Sequence, residues 1–322
     1  MPDIISFEEA ISKTENEDRA LLIGNGFSAQ YFNYASLLSV SGIEEGAPLS
    51  NLFSALKTVD FESVVRAIEG AVIVERAYGN EAHARELEIS AQEVREALVQ
   101  AINNTHPAHR EDLGFQYESS AKFLDHFDSV YSLNYDLLLY WVNLEKTRLR
   151  DGFGLGTRNG KFLGPFSETA HCELFNIHGG LHLFDNGTGD VIKALDYGGG
   201  VIETITNTIQ NKRIFPIYVA EGTSMQKMQK INSSNYLRYC YDKLTKNAAS
   251  IFIYGHSADE NDAHIYKAIF KSKAKHIYFG VYQPDKEKLR SFDGLLAKYQ
   301  KTSGSDIMYT FFDSQSANVW AI

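Results

Sequence analysis

The first group of residues that could do chemistry is a glycine turn. It consists of Gly24, Asn25, Gly26, Phe27 and Ser28 and follows a short apolar strand pattern at residues 19–24. Glycines let a backbone approach a phosphate closely, and free N–H groups at the start of a helix attract its negative charge. A helical pattern begins at Ser28, so this first glycine turn fits a pyrophosphate site. A tight turn without a ligand has the same signature.

Two polar residues, Asn134 and Asp136, follow a second strand pattern at residues 129–133. In open parallel sheets, ligands bind at the carboxyl ends of the strands. An amide and a carboxylate at that edge can bind a ribose hydroxyl, a carboxamide or a water molecule. Either residue can instead cap the helix that follows, and the sequence alone does not separate the two roles.

His178 follows a third strand pattern at residues 173–177 and precedes the flexible pair Gly179 and Gly180. A histidine titrates near neutral pH and can therefore act as a general base on a ribose hydroxyl. A lone histidine is more often structural, but the polar groups at the other strand ends strengthen the functional interpretation. His182 is expected on a strand that follows.

The second glycine turn consists of Gly255, His256 and Ser257, after an apolar strand pattern at residues 251–254. Its small residues suit close approach to another part of the same ligand. Asp259 and Asp262 follow and either contribute to that site or cap the next helix.

Strand patterns recur at residues 213–219, 250–254, 276–281 and 307–312, with helical patterns at 235–246, 262–272 and 285–299. This alternation predicts an α/β fold with a Rossmann-like, mostly parallel sheet and helices on both faces. Residues 61–78 and 81–103 form two long helical patterns without an intervening strand. We therefore predict a helical insertion at residues 49–109, within a nucleotide-binding domain formed by residues 1–48 and 110–322.

Composition narrows the function further. The formal net charge is −10, without an evident basic face, which disfavours direct nucleic-acid binding. No apolar stretch approaches the roughly 20 residues that span a bilayer, and the acidic N-terminus does not resemble a signal peptide, so a cytoplasmic location is expected. Two cysteines and ten scattered histidines form no metal-binding pattern, and we expect no metal.

The polar motifs occur in the order of the sirtuin signature elements, and the chain resembles the prokaryotic SIR2-like branch, in particular the DUF4917 group. Further residues that carry this resemblance are Phe61, Glu62, Asp151, Gly152, Phe153, Glu221, Gly222, Lys227, Asn235, Tyr236 and Leu237. Asn25 and Leu133 differ from classical sirtuins, which have Ala and Gln at these places. Two cysteines cannot supply the structural zinc module of those enzymes, which argues against protein deacylation.

The resemblance implies NAD as substrate and cleavage of its nicotinamide–ribose bond. By this analogy Asn134 positions water or the ribose, Asp136 holds the loop or the nicotinamide amide, and His178 accepts a proton. The pyrophosphate would meet the first glycine turn, and the adenosine half the second. The SIR2-like branch is associated with NAD depletion in antiphage defence, which implies a homo-oligomer or a regulatory partner such as an ATPase. A module that senses NAD or ADP-ribose, an ADP-ribosyltransferase and a deacylase are the alternatives.

Overall fold

Strands and helices alternate along most of the chain in a computed structural model, which describes residues 3–32, 37–147, 149–196, 200–219 and 222–321. The strands are β1 (Ile4–Ile5), β2 (Arg19–Ile23), β3 (Ser129–Ser132), β4 (Thr157–Asn159), β5 (Phe162–Gly164), β6 (Leu174–Asn176), β7 (Gly179–Asp185), β8 (Val191–Ala194), β9 (Pro216–Tyr218), β10 (Ser250–Tyr254), β11 (Ile277–Val281) and β12 (Tyr309–Asp313). The α-helices are α1 (Phe7–Ser12), α2 (Pro48–Leu56), α3 (Phe61–Ala77), α4 (Glu81–Thr105), α5 (Tyr117–Leu124), α6 (Leu138–Val142), α7 (Val201–Asn211), α8 (Ser224–Ser233), α9 (Asn235–Thr245), α10 (Ala263–Lys271) and α11 (Lys286–Ser303).

Seven strands form a parallel sheet in the order β1-β12-β11-β10-β2-β3-β6. Without β1, and read from β6, this is the 3-2-1-4-5-6 order of the doubly wound Rossmann fold. The chain moves outward from β2 through β3 to β6, then returns to the other side of β2 and continues with β10, β11 and β12. The predicted fold class is confirmed, and the point where the strand order reverses lies between β2 and β10.

Both faces of this sheet are buried because successive side chains of a strand point to opposite sides. In β2, Leu21 and Ile23 join one apolar core with residues of α1, α4 and α5. Ala20 and Leu22 join a second core with residues of α9, α10 and α11. The continuous apolar runs of the sequence therefore correspond to strands covered by helices on each side.

A second sheet is antiparallel and was not predicted. Its strand order is β4-β5-β8-β7-β9. The strand predicted at residues 213–219 is formed as β9, but it pairs with β7 in this sheet and not in the parallel sheet. The strands of the antiparallel sheet are too short for their apolar pattern to reveal which sheet they join. His182 lies on β7, as expected.

The two long helical patterns form α3 and α4, which pack against each other. Their buried side chains, including Val65 and Leu98, belong to the same apolar core as Leu21 of the sheet. The domain boundaries predicted around residues 49–109 stay a prediction. No helix within the described ranges is long and apolar enough to cross a membrane.

The helix predicted from Ser28 is wrong for residues 28–32, and Tyr34 and Ala35 lie outside the described residues. A short 3-10 helix spans Asn25–Phe27, and turns follow it. Tertiary contacts hold this segment: the Phe27 ring is fully buried, and its carbonyl accepts a hydrogen bond from the indole of Trp320. The local helical pattern is overridden by these long-range contacts.

Replacing His182 should reduce the loss of stability in acid. This side chain is buried against the Tyr140 ring, and burial, reinforced by Lys193, lowers its pKa to about 3 from an ordinary 6.5. The unfolded chain therefore binds a proton that the folded chain does not, and stability falls as the pH drops below the unfolded pKa. When the pH falls from about 7.5 to 5, the free energy of unfolding of His182→Phe should decrease by about 2 kcal/mol less than that of the parent protein.

Chemical denaturation of both proteins at the two pH values measures this difference. The control is Phe184→Leu, a change on the same strand that adds or removes no titrating group. It should lower the free energy of unfolding by the same amount at each pH. An identical acid sensitivity in His182→Phe and the parent would show that His182 does not contribute to it.

Candidate functional site

The two glycine turns meet where the strand order reverses. β2 and β10 pair in parallel with Ile23 opposite Tyr254, so both turns leave the sheet at the same level. The Gly26 N–H donates to the Gly255 carbonyl at 2.7 Å, and the Gly24 N–H donates to the Tyr254 carbonyl at 2.9 Å. Two sequence motifs that are 231 positions apart (255 − 24) thus form one continuous surface.

The glycines are explained first by this contact between the turns. A Cβ on Gly26 would lie 2.5 Å from the Gly255 Cα, and one on Gly255 would lie 2.6 Å from the Phe27 nitrogen. The Phe27 and Ser28 N–H groups donate to the Gly24 and Asn25 carbonyls. The amides of residues 24, 26, 27 and 28 are therefore used within the protein and do not form an open phosphate cradle in this conformation.

A cleft of about 290 Å³ opens beside the two turns. Of the residues predicted from the sequence, it is lined by Asn25, His178, Gly255, His256 and Ser257. It is also lined by Asp262, for which the sequence left a site role and a capping role open, and by Leu133, Tyr135, Val219 and Lys227, to which no site role was assigned. Lys227 was assigned no site role because a lysine on a helix is ordinarily a solvated charge.

A hydrogen-bonded network of charged and aromatic groups lines one side of the cleft. Asp262 is at its centre: its Oδ1 lies 2.7 Å from the Lys227 Nζ, and its Oδ2 lies 3.3 Å from the His256 Nε2. The His256 Nδ1 lies within hydrogen-bond distance of the Ala258 N–H (3.0 Å) and the Tyr266 hydroxyl (2.8 Å). Because the Nδ1 accepts from the Ala258 N–H, the ring proton is assigned to Nε2, which donates to Asp262.

The network holds an ionised carboxylate beside an uncharged imidazole at neutral pH. Burial alone would raise the pKa of Asp262, but the hydrogen bond from His256 and the nearby positive charge of Lys227 outweigh it and hold that pKa far below its usual range. Burial lowers the pKa of His178 to about 3, against the opposing effect of the Asp262 carboxylate. His178 Nε2 lies 3.9 Å from the Asp262 Oδ1, so the two are neighbours but not an ion pair at neutral pH.

His264 brings a second buried imidazole to this network. Its Nε2 lies 3.4 Å from the His178 Nε2, and its Nδ1 lies 3.0 Å from the Ser224 Oγ. His178, Asp262 and His264 each offer one donor atom, and these atoms lie within 4.8 Å of one another, a grouping that could hold a metal ion. The sequence expectation of no metal used the local spacing of cysteines and histidines, which does not reveal a partner more than 80 positions away.

Asn134 and Asp136 do not line the cleft. The Asn134 Nδ2 donates to the Ser28 Oγ at 3.1 Å, which fastens the first glycine turn to the end of β3. Its Oδ1 is buried without a hydrogen-bond partner among the described residues. The Asp136 Oδ1 accepts from the Leu138 N–H at 2.7 Å, the capping role that was the alternative to a ligand contact.

Residues 21–320 match the family described as a domain of unknown function (DUF4917). The chain belongs to the DUF4917 family. The match begins within β2 and ends at Trp320, so it includes both glycine turns and every residue of the cleft. No curated protein matches this DUF4917 chain.

Gly26→Ala should destabilise this DUF4917 protein. The added methyl group would collide with the Gly255 backbone, and forcing atoms into a packed region costs typically about 1–3 kcal/mol. Gly70→Ala is the matched control, because Gly70 lies on α3 and a Cβ there would meet nothing within 4 Å. Alanine in a helix should raise stability at that position by about 0.5–1 kcal/mol. Thermal unfolding of the two variants measures the contrast, and equal stability of both would refute the tight contact between the turns.

Proposed function

We propose that this protein is an NAD+ hydrolase of the SIR2-like (sirtuin-like) kind, which cleaves the nicotinamide–ribose bond to give nicotinamide and ADP-ribose. The observation that carries the proposal is the convergence of both glycine turns, His178 and Asp262 at the reversal point of a 3-2-1-4-5-6 sheet. That crevice is where such sheets bind dinucleotides.

The charges of the cleft support this chemistry. Departure of nicotinamide leaves a ribose with oxocarbenium character, and a fixed negative charge stabilises it. Asp262 supplies that charge: it is ionised and its side chain is only 15% exposed, and the Lys227 ammonium that pairs with it has to move aside for the charge to act on the ribose. The neighbouring uncharged His178 can accept a hydrogen bond from a ribose hydroxyl or from the attacking water.

Two clefts that share Asn25 support a ligand longer than a single nucleoside. The first is the cleft of about 290 Å³, and the second, of about 730 Å³, is lined by Gln30, Tyr31 and residues 104–107. We place the nicotinamide ribose beside His178 and Asp262 and the remainder of NAD across the first glycine turn. Because the second glycine turn lines the same cleft as His178, it belongs to the nicotinamide end in this arrangement. Asn134 then acts through Ser28 as a positioning residue.

The biological setting follows from the SIR2-like resemblance. NAD depletion in the cytoplasm would serve antiphage defence, and such an activity needs control. Assembly into a homo-oligomer or binding of a regulatory protein such as an ATPase would supply it. Residues 49–109 are our candidate for the contact surface, since Ile73 and Val74 of α3 and Tyr78 just after it are exposed.

A module that binds NAD or ADP-ribose without cleaving it is the second candidate. One observation favours it: the pKa of His178 is lowered to about 3. A base whose pKa lies far below the working pH contributes little to proton transfer. Such a module would signal to a partner through nucleotide binding alone.

Incubating the purified protein with NAD+ and measuring nicotinamide and ADP-ribose distinguishes these functions. We expect turnover in the parent protein and a decrease of at least about 100-fold in His178→Ala and in Asp262→Asn, because each removes a group from the reacting end. Asn134→Ala should also decrease turnover, through displacement of the first glycine turn. His182→Phe removes a buried histidine that does not line the cleft and should retain activity.

If the protein binds the nucleotide without turnover, the sensing module is the correct function and the hydrolase is not. If turnover persists in both His178→Ala and Asp262→Asn, these residues do not take part in the reaction. If the protein neither binds nor cleaves NAD+, both candidates are wrong. Unfolding measurements on each variant separate loss of chemistry from loss of structure.

A further inference from the structure

We propose that His178, Asp262 and His264 form a binding site for a divalent transition-metal ion, with zinc as the ion that the donors suit best. Two imidazole nitrogens and one carboxylate oxygen are typical donors for zinc and its first-row neighbours. The three residues come from two places in the fold: the connection between β6 and β7, and the start of α10. This inference does not depend on NAD cleavage.

The separation of the donor atoms fits a tetrahedral ion. Two nitrogens bound to zinc at about 2.0–2.1 Å with a tetrahedral angle lie about 3.4 Å apart. The His178 and His264 Nε2 atoms are separated by 3.4 Å. The His178 Nε2 and the Asp262 Oδ1 are 3.9 Å apart, and all three donor atoms lie within 4.8 Å of one another, so the carboxylate has to move towards both nitrogens to complete the set.

Groups around two of the three donors, His264 and Asp262, hold them as metal ligands require. Ligating histidines commonly donate their second N–H to an acceptor, and ligating carboxylates are themselves hydrogen-bonded. The His264 Nδ1 lies 3.0 Å from the Ser224 Oγ, which can accept its proton and leave Nε2 free for a metal. The second oxygen of Asp262 is 3.3 Å from the His256 Nε2, and Tyr266 in turn fixes that ring.

Lys227 competes with the metal for this position. Its ammonium lies 2.7 Å from the Asp262 Oδ1, the oxygen that faces His178. Lysine side chains are long and flexible, and the Lys227 Nζ can move aside along its four-carbon stem. Binding of a metal therefore exchanges one cation for another at Asp262. Removal of the lysine charge should strengthen metal binding.

The experiment uses the untagged full chain with Co²⁺ and Zn²⁺ and no nucleotide. Isothermal titration with Zn²⁺ gives affinity and stoichiometry, and the visible absorption of bound Co²⁺ reports a tetrahedral site. We expect one ion per chain in the parent protein. Asp262→Asn and His264→Phe should each weaken binding at least about 100-fold, since loss of even an outer hydrogen-bond partner weakens metal sites 10–100-fold.

Lys227→Met tests the competition. The methionine side chain is one atom shorter than that of lysine and has no charge, so Zn²⁺ should bind at least about tenfold more tightly than to the parent. His182→Phe is the control, a buried histidine without these neighbours, and should bind as the parent does. No binding by the parent, or binding that survives Asp262→Asn and His264→Phe, would overturn the proposal. Weaker binding in Lys227→Met would overturn the role of the lysine. Because no nucleotide is present, these results are independent of the test for NAD cleavage.

Discussion

Direct backbone contact between the two glycine turns is the constraint from which the geometry of the cleft follows. A Cβ on Gly24 would lie 2.7 Å from the Gly255 carbonyl oxygen, and the Gly26 N–H already donates to that oxygen at 2.7 Å. Such proximity requires residues without side chains on both turns. It also requires β2 and β10 to end level, which their parallel register provides. Asn25 and His256 are thereby fixed on the wall of one cleft.

The charges of the cleft are balanced internally. Asp262 and Lys227 have side chains only 15% and 12% exposed, so each has lost most of its hydration. Their mutual attraction and the hydrogen bond from His256 offset that loss, whereas either charge alone would be costly at this depth. Burial of His178 and His264 beside this pair keeps both imidazoles uncharged at neutral pH. A ligand or ion that enters therefore meets a preorganised carboxylate that is paired with Lys227 and lies beside uncharged imidazoles.

The position of His178 results from the junction of the two sheets. β6 ends at Asn176 in the parallel sheet, and β7 begins at Gly179 in the antiparallel sheet, so His178 lies in the two-residue connection. Its carbonyl accepts from the Val219 N–H at 2.9 Å, just after β9. Gly179 has a φ of 71°, and a Cβ there would lie 2.0 Å from the Ile217 carbonyl oxygen. The glycine after the histidine is thus explained by the close approach of β9.

The sequence by itself determined the parallel sheet, the long helices and about half of the residues that line the cleft. Apolar runs that end at a glycine turn, such as residues 251–254, form strands of this sheet. Only the tertiary structure decided that a second, antiparallel sheet forms and that turns replace the helix predicted from Ser28. It also made Asp136 a helix cap, directed Asn134 towards Ser28, and brought Lys227, Asp262 and His264 to His178. These outcomes depend on contacts between residues far apart in the chain, and a local pattern of residue types does not specify which distant elements meet.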